Sequence, residues 1–321
     1  MRILIRPFLF LAFTLIVSLN TTFATGAAAT AADKPAKRLL VPEDYYRLKN
    51  VGDPQVSPDG KWVAYTVASF DREGDKIVTT LWMVSWDGAQ NVQLTHGEKS
   101  AGSPKWSPDG KYLSFTAAGK DGGKSQVWLM DRRGGEAWPL TNVKEDLDSY
   151  AWSPDGKRLL LTMSTDDAAQ AAEKGAEGDG ASAAAASKAA KPIVIDKYHF
   201  KQDFQGYLTA GGDSQLYLFD VETKQLQPLT TAKGFSDGHG VWSPDGKQIA
   251  FVREYEPEPG GKGMDDLFVV DAQAGAAARK VTSFQSAGGQ RMVWSPDGRS
   301  LAYFVGMEPK FSAYNQSHLE L

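Results

Sequence analysis

Polar and apolar residues alternate along much of this chain. Lys111-Tyr112-Leu113-Ser114-Phe115-Thr116 and Lys247-Gln248-Ile249-Ala250-Phe251-Val252 are two such runs. Alternation of this kind reads as strand, with a face turned toward a core. Each run follows the same five residues. Trp-Ser-Pro-Asp-Gly stands at Trp106–Gly110, Trp152–Gly156, Trp242–Gly246 and Trp294–Gly298, and a first copy, Val56–Gly60, has Val in place of Trp. In this motif Pro pre-sets φ for the second position of a type I turn, and Asp suits the third. Gly then takes the left-handed conformation that closes a hairpin with a bulge. The Trp is expected to end the preceding strand and to pack between neighbouring sheets. Each motif is thus the first hairpin of a small antiparallel sheet.

The first repeat holds four strand candidates, Asp53–Ser57, Lys61–Ser69, Thr79–Trp86 and Asn91–Thr95, with a turn at Asp87-Gly88. The second repeats them as Ser103–Ser107, Lys111–Ala118, Gln126–Asp131 and Ala137–Thr141. The units end in a Leu-Thr pair (Leu94-Thr95, Leu140-Thr141, Leu229-Thr230) or, in the fourth, Val281-Thr282. The motifs are spaced 50, 46, 90 and 52 residues apart. Four antiparallel strands at such a period describe a propeller blade. The fold class expected is all-β, a β-propeller of four-stranded blades, with about four full blades and part of a fifth. The fifth copy has Gln290–Ser295 and Ser300–Gly306, then only the beginning of a third strand at His318-Leu319-Glu320-Leu321. A ring closes on a complete blade, so the chain is expected to be the front part of a longer protein.

The long step marks a blade with an insertion between Lys157–Ser164 and Gln215–Asp220. Residues 166–191 are Ala/Gly/Glu/Lys-rich and lack bulky apolar residues, which predicts a surface loop without a core of its own. Residues 192–208 differ, being rich in aromatic and charged side chains. Tyr198, His199, Phe200, Lys201, Asp203, Phe204 and Tyr207 are the candidate contacts with a partner domain, a second subunit or a substrate; a hairpin extending the blade fits the same residues. Before the first blade, Pro42–Leu48 reads as a short helix, with Pro and acids at its start, covering a sheet edge or an end of the ring.

Composition narrows the chemistry. There is no Cys among 321 residues, hence no disulfide, thiolate or Cys-ligated metal. Net charge is −4 with no basic stripe, against a nucleic-acid partner. Arg2, Arg6 and the apolar run Pro7–Leu19 read as a signal peptide cleaved between Ala24 and Ala32, so export to the periplasm or beyond is expected. Losing both arginines leaves 33 basic against 39 acidic side chains, near −6.

Gly234-Phe235-Ser236-Asp237-Gly238 matches the nucleophile-elbow pattern, with His239 next to it. That pattern acts only between a buried strand and a helix, and here it precedes another Trp-Ser-Pro-Asp-Gly strand, so a turn between blades is expected. His96, His199 and His318 have no metal-site spacing. Glu145-Asp146-Leu147-Asp148 and Asp265-Asp266 read as solvated acidic turns. No glycine-rich phosphate cradle is present, and no cofactor is expected.

The repeat resembles that shared by TolB-like periplasmic proteins and the prolyl oligopeptidase family of serine peptidases. Two stretches are similar to the acylaminoacyl-peptidase and dipeptidyl-peptidase branch of the latter. They are Leu40–Tyr45 with Val51–Gly60, and Ile193–Asp203 with Gly206-Tyr207-Leu208. The resemblance spans roughly residues 39–321. It implies an N-terminal propeller that filters substrates for a C-terminal α/β-hydrolase domain carrying the triad. That domain is the implied partner, and short or N-acylated peptides are its implied substrates. No catalytic residue is implied within this chain, which is expected to be inactive alone. Self-association stays open, and a non-enzymatic TolB-like binding propeller is the alternative.

Overall fold

The structure, a computed structural model, describes residues 39–97, 99–120, 122–164, 201–202, 206–207, 213–231, 235–254, 264–285, 292–306 and 317–321. The expected signal segment, residues 166–191 and most of 192–208 lie outside them. Contacts divide the chain into Met1–Pro42 and Glu43–Leu321, and every strand belongs to the second unit.

Five antiparallel sheets follow one another in the sequence. The first contains β1 (Lys49–Val56), β2 (Trp62–Asp71), β3 (Lys76–Ser85) and β4 (Asn91–Gln93); the second contains β5 (Ala101–Trp106), β6 (Tyr112–Ala118), β7 (Ser125–Asp131) and β8 (Trp138–Pro139). The third begins with β9 (Asp146–Trp152) and β10 (Arg158–Ser164). A two-stranded excursion, β11 (Lys201–Gln202) and β12 (Gly206–Tyr207), precedes its outer strands β13 (Ser214–Asp220) and β14 (Leu226–Pro228). The fourth is β15 (Ser236–Trp242), β16 (Gln248–Glu254), β17 (Met264–Asp271) and β18 (Arg279–Gln285). The fifth has β19 (Met292–Trp294), β20 (Leu301–Val305) and β21 (His318–Glu320). These are blades of a β-propeller, each a meander whose first strand lies at one edge.

The central strands of the third and fourth sheets are apolar on both faces because each of these sheets is packed between two others. In β10, Leu159, Leu161 and Met163 join Val127 and Leu129 of the second sheet, while Leu160 joins Ile249 and Phe251 of the fourth. In β16, Ala250 and Val252 turn the other way, toward Met292 and Trp294 of the fifth.

The repeated turns do more than reverse the chain. In each, the Gly N–H donates to the Ser carbonyl (Gly60 to Ser57, 2.8 Å; Gly156 to Ser153, 2.9 Å) and Gly has positive φ, +69° at Gly60. The Ser hydroxyl donates to the Asp carboxylate, 2.6 Å from Ser57 to Asp59 and 2.5 Å from Ser107 to Asp109. It also accepts the N–H that opens the next strand, from Trp62 at 3.0 Å and Tyr112 at 2.9 Å. Successive turns stack: a β-carbon at Gly110 would lie 3.5 Å from the Pro58 ring, and Gly156 and Gly246 meet Pro108 and Pro154 in the same way.

The motif Trp reaches the preceding sheet, as expected. Trp106 Nε1 donates to the Gln55 carbonyl (2.9 Å), Trp152 to Ser114 Oγ (2.8 Å), Trp242 to the Ala151 carbonyl (3.3 Å) and Trp294 to that of Val241 (3.2 Å). The Leu-Thr endings also have a function. Thr95, Thr141 and Thr230 accept the backbone N–H of Leu81, Val127 and Leu216, replacing a ladder bond where the outer strand curls away. The fourth unit departs from this expectation, because β18 runs past Thr282 to Gln285 after a register shift. The predicted helix is a 3-10 helix, Pro42–Arg47, with Tyr46 against Phe70 at the end of β2, ring centroids 5.0 Å apart.

Hydrogen bonds from the Ser hydroxyls hold the carboxyls of Asp59, Asp109, Asp155, Asp245 and Asp297 below the usual range; Arg132 adds to the effect at Asp59. A depressed folded-state pKa stabilises above the unfolded value of about 4 and ceases to do so as pH falls through the folded values. Thermal unfolding is therefore expected to lose midpoint below about pH 4, and Ser153→Ala with Ser243→Ala to make that acid decline shallower. An unchanged decline in scanning calorimetry would refute the assignment.

Candidate functional site

The first strands β1, β5, β9, β15 and β19 are each paired on one side only, and neighbours among them lie side by side. An edge strand leaves a row of N–H and C=O groups open to a partner. Four of these strands are kinked. Register breaks fall between Gly52 and Gln55, between Gly102 and Lys105, between Gly238 and Val241, and opposite Thr162–Met163 in β9. Three of the bulges hold a non-glycine residue at positive φ: Asp53 at 49°, Ser103 at 50° and His239 at 54°. Such backbone is costly for a residue with a β-carbon and concentrates where a side chain must be aimed.

Beside these bulges lies a buried hydroxyl network. Tyr150 donates to the Ser103 carbonyl (2.8 Å) and lies 3.0 Å from Ser114 Oγ, which bonds to the Lys105 carbonyl (2.8 Å) and accepts from Trp152. Burial pushes the Tyr150 hydroxyl far above its ordinary pKa, so it stays neutral and works as a donor. The Lys105 ammonium sits 5.6 Å over the Tyr150 ring. One strand further, Ser149 Oγ donates to Thr162 Oγ1 at 3.0 Å. Asp148, raised in pKa mainly by desolvation, accepts from Ser164 and Ser214. His239 Nε2 faces Glu254 at 3.6 Å.

Strands β5, β9, β15 and β19, together with β10, β20 and β21, wall a cavity of about 580 Å³. Its polar side is Lys105, Ser149, Thr162 and His239; its apolar side includes Val241, Met292, Phe304 and Leu319. The arrangement suits an extended ligand that has both backbone-like hydrogen-bonding groups and an apolar end. Among the described residues no group of three His, Cys, Asp or Glu is placed to hold a metal ion.

The elbow-like segment is no elbow. Ser236 begins β15 rather than a turn, with its Oγ accepting the Ser214 N–H at 3.3 Å, and a strand follows instead of a helix. Asp237 is fully buried, held by Nε and Nη2 of Arg253 at 2.6 and 2.8 Å. It therefore orients no histidine. Asp265 and Asp266 are also inside, on β17 and not at a turn; Asp266 takes Lys280 at 2.8 Å and the Ser283 hydroxyl at 2.6 Å. In the insertion, the backbone pairs Lys201 with Tyr207 and Gln202 with Gly206 in a two-stranded sheet separate from the blade. Tyr198, His199, Phe200, Asp203 and Phe204 lie outside the described residues.

Lys105, Ser149 and Tyr150 were not singled out by the sequence. A signal existed in the paired triplets Gly52-Asp53-Pro54 and Gly102-Ser103-Pro104, where Gly and Pro within a strand mark a bulge.

Residues 47–192 match the family described as TolB beta propeller domain (PD40). The chain is 30% identical over 238 residues to the uncharacterized peptidase YuxL of Bacillus subtilis (strain 168), a match covering 73% of this chain and 34% of that protein. Acylaminoacyl peptidase of Pyrococcus horikoshii is similar in fold, with a TM-score of 0.59 at 17% identity, over 86% of this chain and 38% of that one. The β-propeller domain of the Trilobed protease of Pyrococcus furiosus aligns with a TM-score of 0.50 at 16% identity, over 86% and 69%. The chain thus spans about a third of the length of the curated relative it matches.

Proposed function

From a chain that is a propeller of the kind carried by prolyl oligopeptidase-type peptidases, we propose the substrate-gating part of an exported serine exopeptidase that acts on short or N-acylated peptides. Nucleophile, base and oxyanion hole would come from an α/β-hydrolase domain. The observation that carries this reading is the cavity of about 580 Å³, lined in part by the edge strands β5, β9, β15 and β19. It has room for a few residues of extended peptide and none for a folded domain. The open strand edges supply hydrogen bonds that any peptide backbone can use, so access is set by size more than by sequence.

Two measurements test it. Purified chain 1–321 is expected to hydrolyse an acyl-amino-acid chromogenic substrate no faster than buffer, and Ser236→Ala to behave identically. Hydrolysis by the chain that Ser236→Ala abolishes would overturn the assignment of the chemistry to another domain. Reading the coding sequence beyond the Leu321 codon is expected to show a strand–Gly-x-Ser-x-Gly–helix unit with later Asp and His. A stop codon directly after Leu321 would instead favour a binding propeller, the reading supported by the TolB match at residues 47–192. Export is checked by the N-terminal residue of the protein recovered outside the cytoplasm, expected between positions 25 and 33.

A further inference from the structure

Among the residues that line the inner cavity, Lys105 alone bears a fixed charge. It is half-buried on β5, and its ammonium lies over the Tyr150 ring. Neither a hydrogen bond nor an ion pair reaches that ammonium among the described residues. The ring face offers some attraction, but an ammonium beside apolar walls gains much more from an anion that excludes water with it. Tyr150 does not become that anion, since its hydroxyl stays protonated and is committed to the Ser103 carbonyl.

The rest of the wall narrows the anion's carrier. On one side, β9 and β15 present unpaired backbone edges. On the other, Met292, Phe304 and Leu319 offer an apolar surface. A simple carboxylic acid satisfies the ammonium and the apolar surface and leaves the strand edges unused. A peptide end satisfies all three.

We propose that Lys105 binds the free α-carboxylate of a short peptide whose terminal side chain is apolar and rests against Met292 and Phe304. The peptide backbone then runs along the edges of β9 and β15. The assignment rests on the peptide reading above and gives it a polarity, with the C-terminal end of the ligand held in the propeller.

Calorimetric titration of the full chain with N-acetyl-alanyl-leucine and with its C-terminal amide tests this. One charge-assisted hydrogen bond corresponds to roughly a tenfold or greater preference for the acid. Lys105→Met, which keeps the length of the stem, is expected to reduce the acid to the affinity of the amide, and Lys105→Arg to retain the preference. Equal binding of acid and amide by the wild type, or a preference that persists in Lys105→Met, overturns the assignment. If Lys105→Met is unfolded by circular dichroism, Lys105→Gln takes its place under the same criteria. 4-Methylpentanoic acid, with the same end and no peptide group, is expected to bind at least about tenfold more weakly than the peptide; equal binding makes the ligand a small acid and overturns the peptide. Absence of all binding overturns the role of Lys105 alone, because the peptidase reading stands or falls on the hydrolysis and coding-sequence results.

Discussion

Asp237→Ala is expected to lower the free energy of unfolding by about 3–5 kcal/mol, the range for removing one partner of a buried ion pair. Asp237 has no exposed surface, and Arg253 grips both of its oxygens. The guanidinium also lies over Phe268 at 4.7 Å, Phe235 at 5.6 Å and Phe251 at 5.9 Å. Without the carboxylate, the guanidinium keeps its aromatic neighbours but loses both charge-assisted bonds to Asp237, and that loss dominates the cost. The intact pair contributes far less than its loss removes, because burying both charges is itself expensive. Asp237→Leu combined with Arg253→Met is accordingly expected to recover at least half of the deficit. Urea titration decides it: a loss below about 1 kcal/mol for Asp237→Ala, or a double variant no more stable than the single, contradicts this account.

Phe251→Ala should cost about 3–5 kcal/mol through the cavity it leaves. Its side chain is fully buried on β16, stacked on Phe268 with centroids 5.5 Å apart and planes 16° from parallel. It packs with Leu160 and Leu216 of the preceding sheet. Collapse around the hole is limited, because Leu160 already fills the space over Gly240, where an added β-carbon would sit 2.5 Å from its Cδ2. Phe251 and Arg253 share Phe268, so the two sites are expected to couple, and their combined cost to differ from the sum of the singles. A loss under about 2 kcal/mol in denaturant melts would mean that the sheets close over the gap.

The blades were legible because turn, strand and spacer chemistry all repeat. Ser57, Ser107, Ser153, Ser243 and Ser295 make the same bond to the motif Asp in all five copies. Where one unit breaks the pattern, the sequence misleads. Val281-Thr282 looks like the endings at Leu140-Thr141 and Leu229-Thr230, yet its strand continues. Asp237, Asp265 and Asp266 look like surface acids. Their burial depends on Arg253, Lys280 and Ser283, which only the pairing of β15 to β18 brings beside them. The inner cavity was hidden for a related reason. Each wall residue looks ordinary within its own repeat, and the site arises only where strands from different repeats meet.

Every indole tether runs backward along the chain, from Trp106 to Gln55, Trp152 to Ser114, Trp242 to Ala151 and Trp294 to Val241. A polypeptide delivered N-terminus first thus meets, with each new Trp, an acceptor that has already been delivered. The order of donors and acceptors lets docking follow the direction of synthesis, each sheet's Trp meeting a sheet already made.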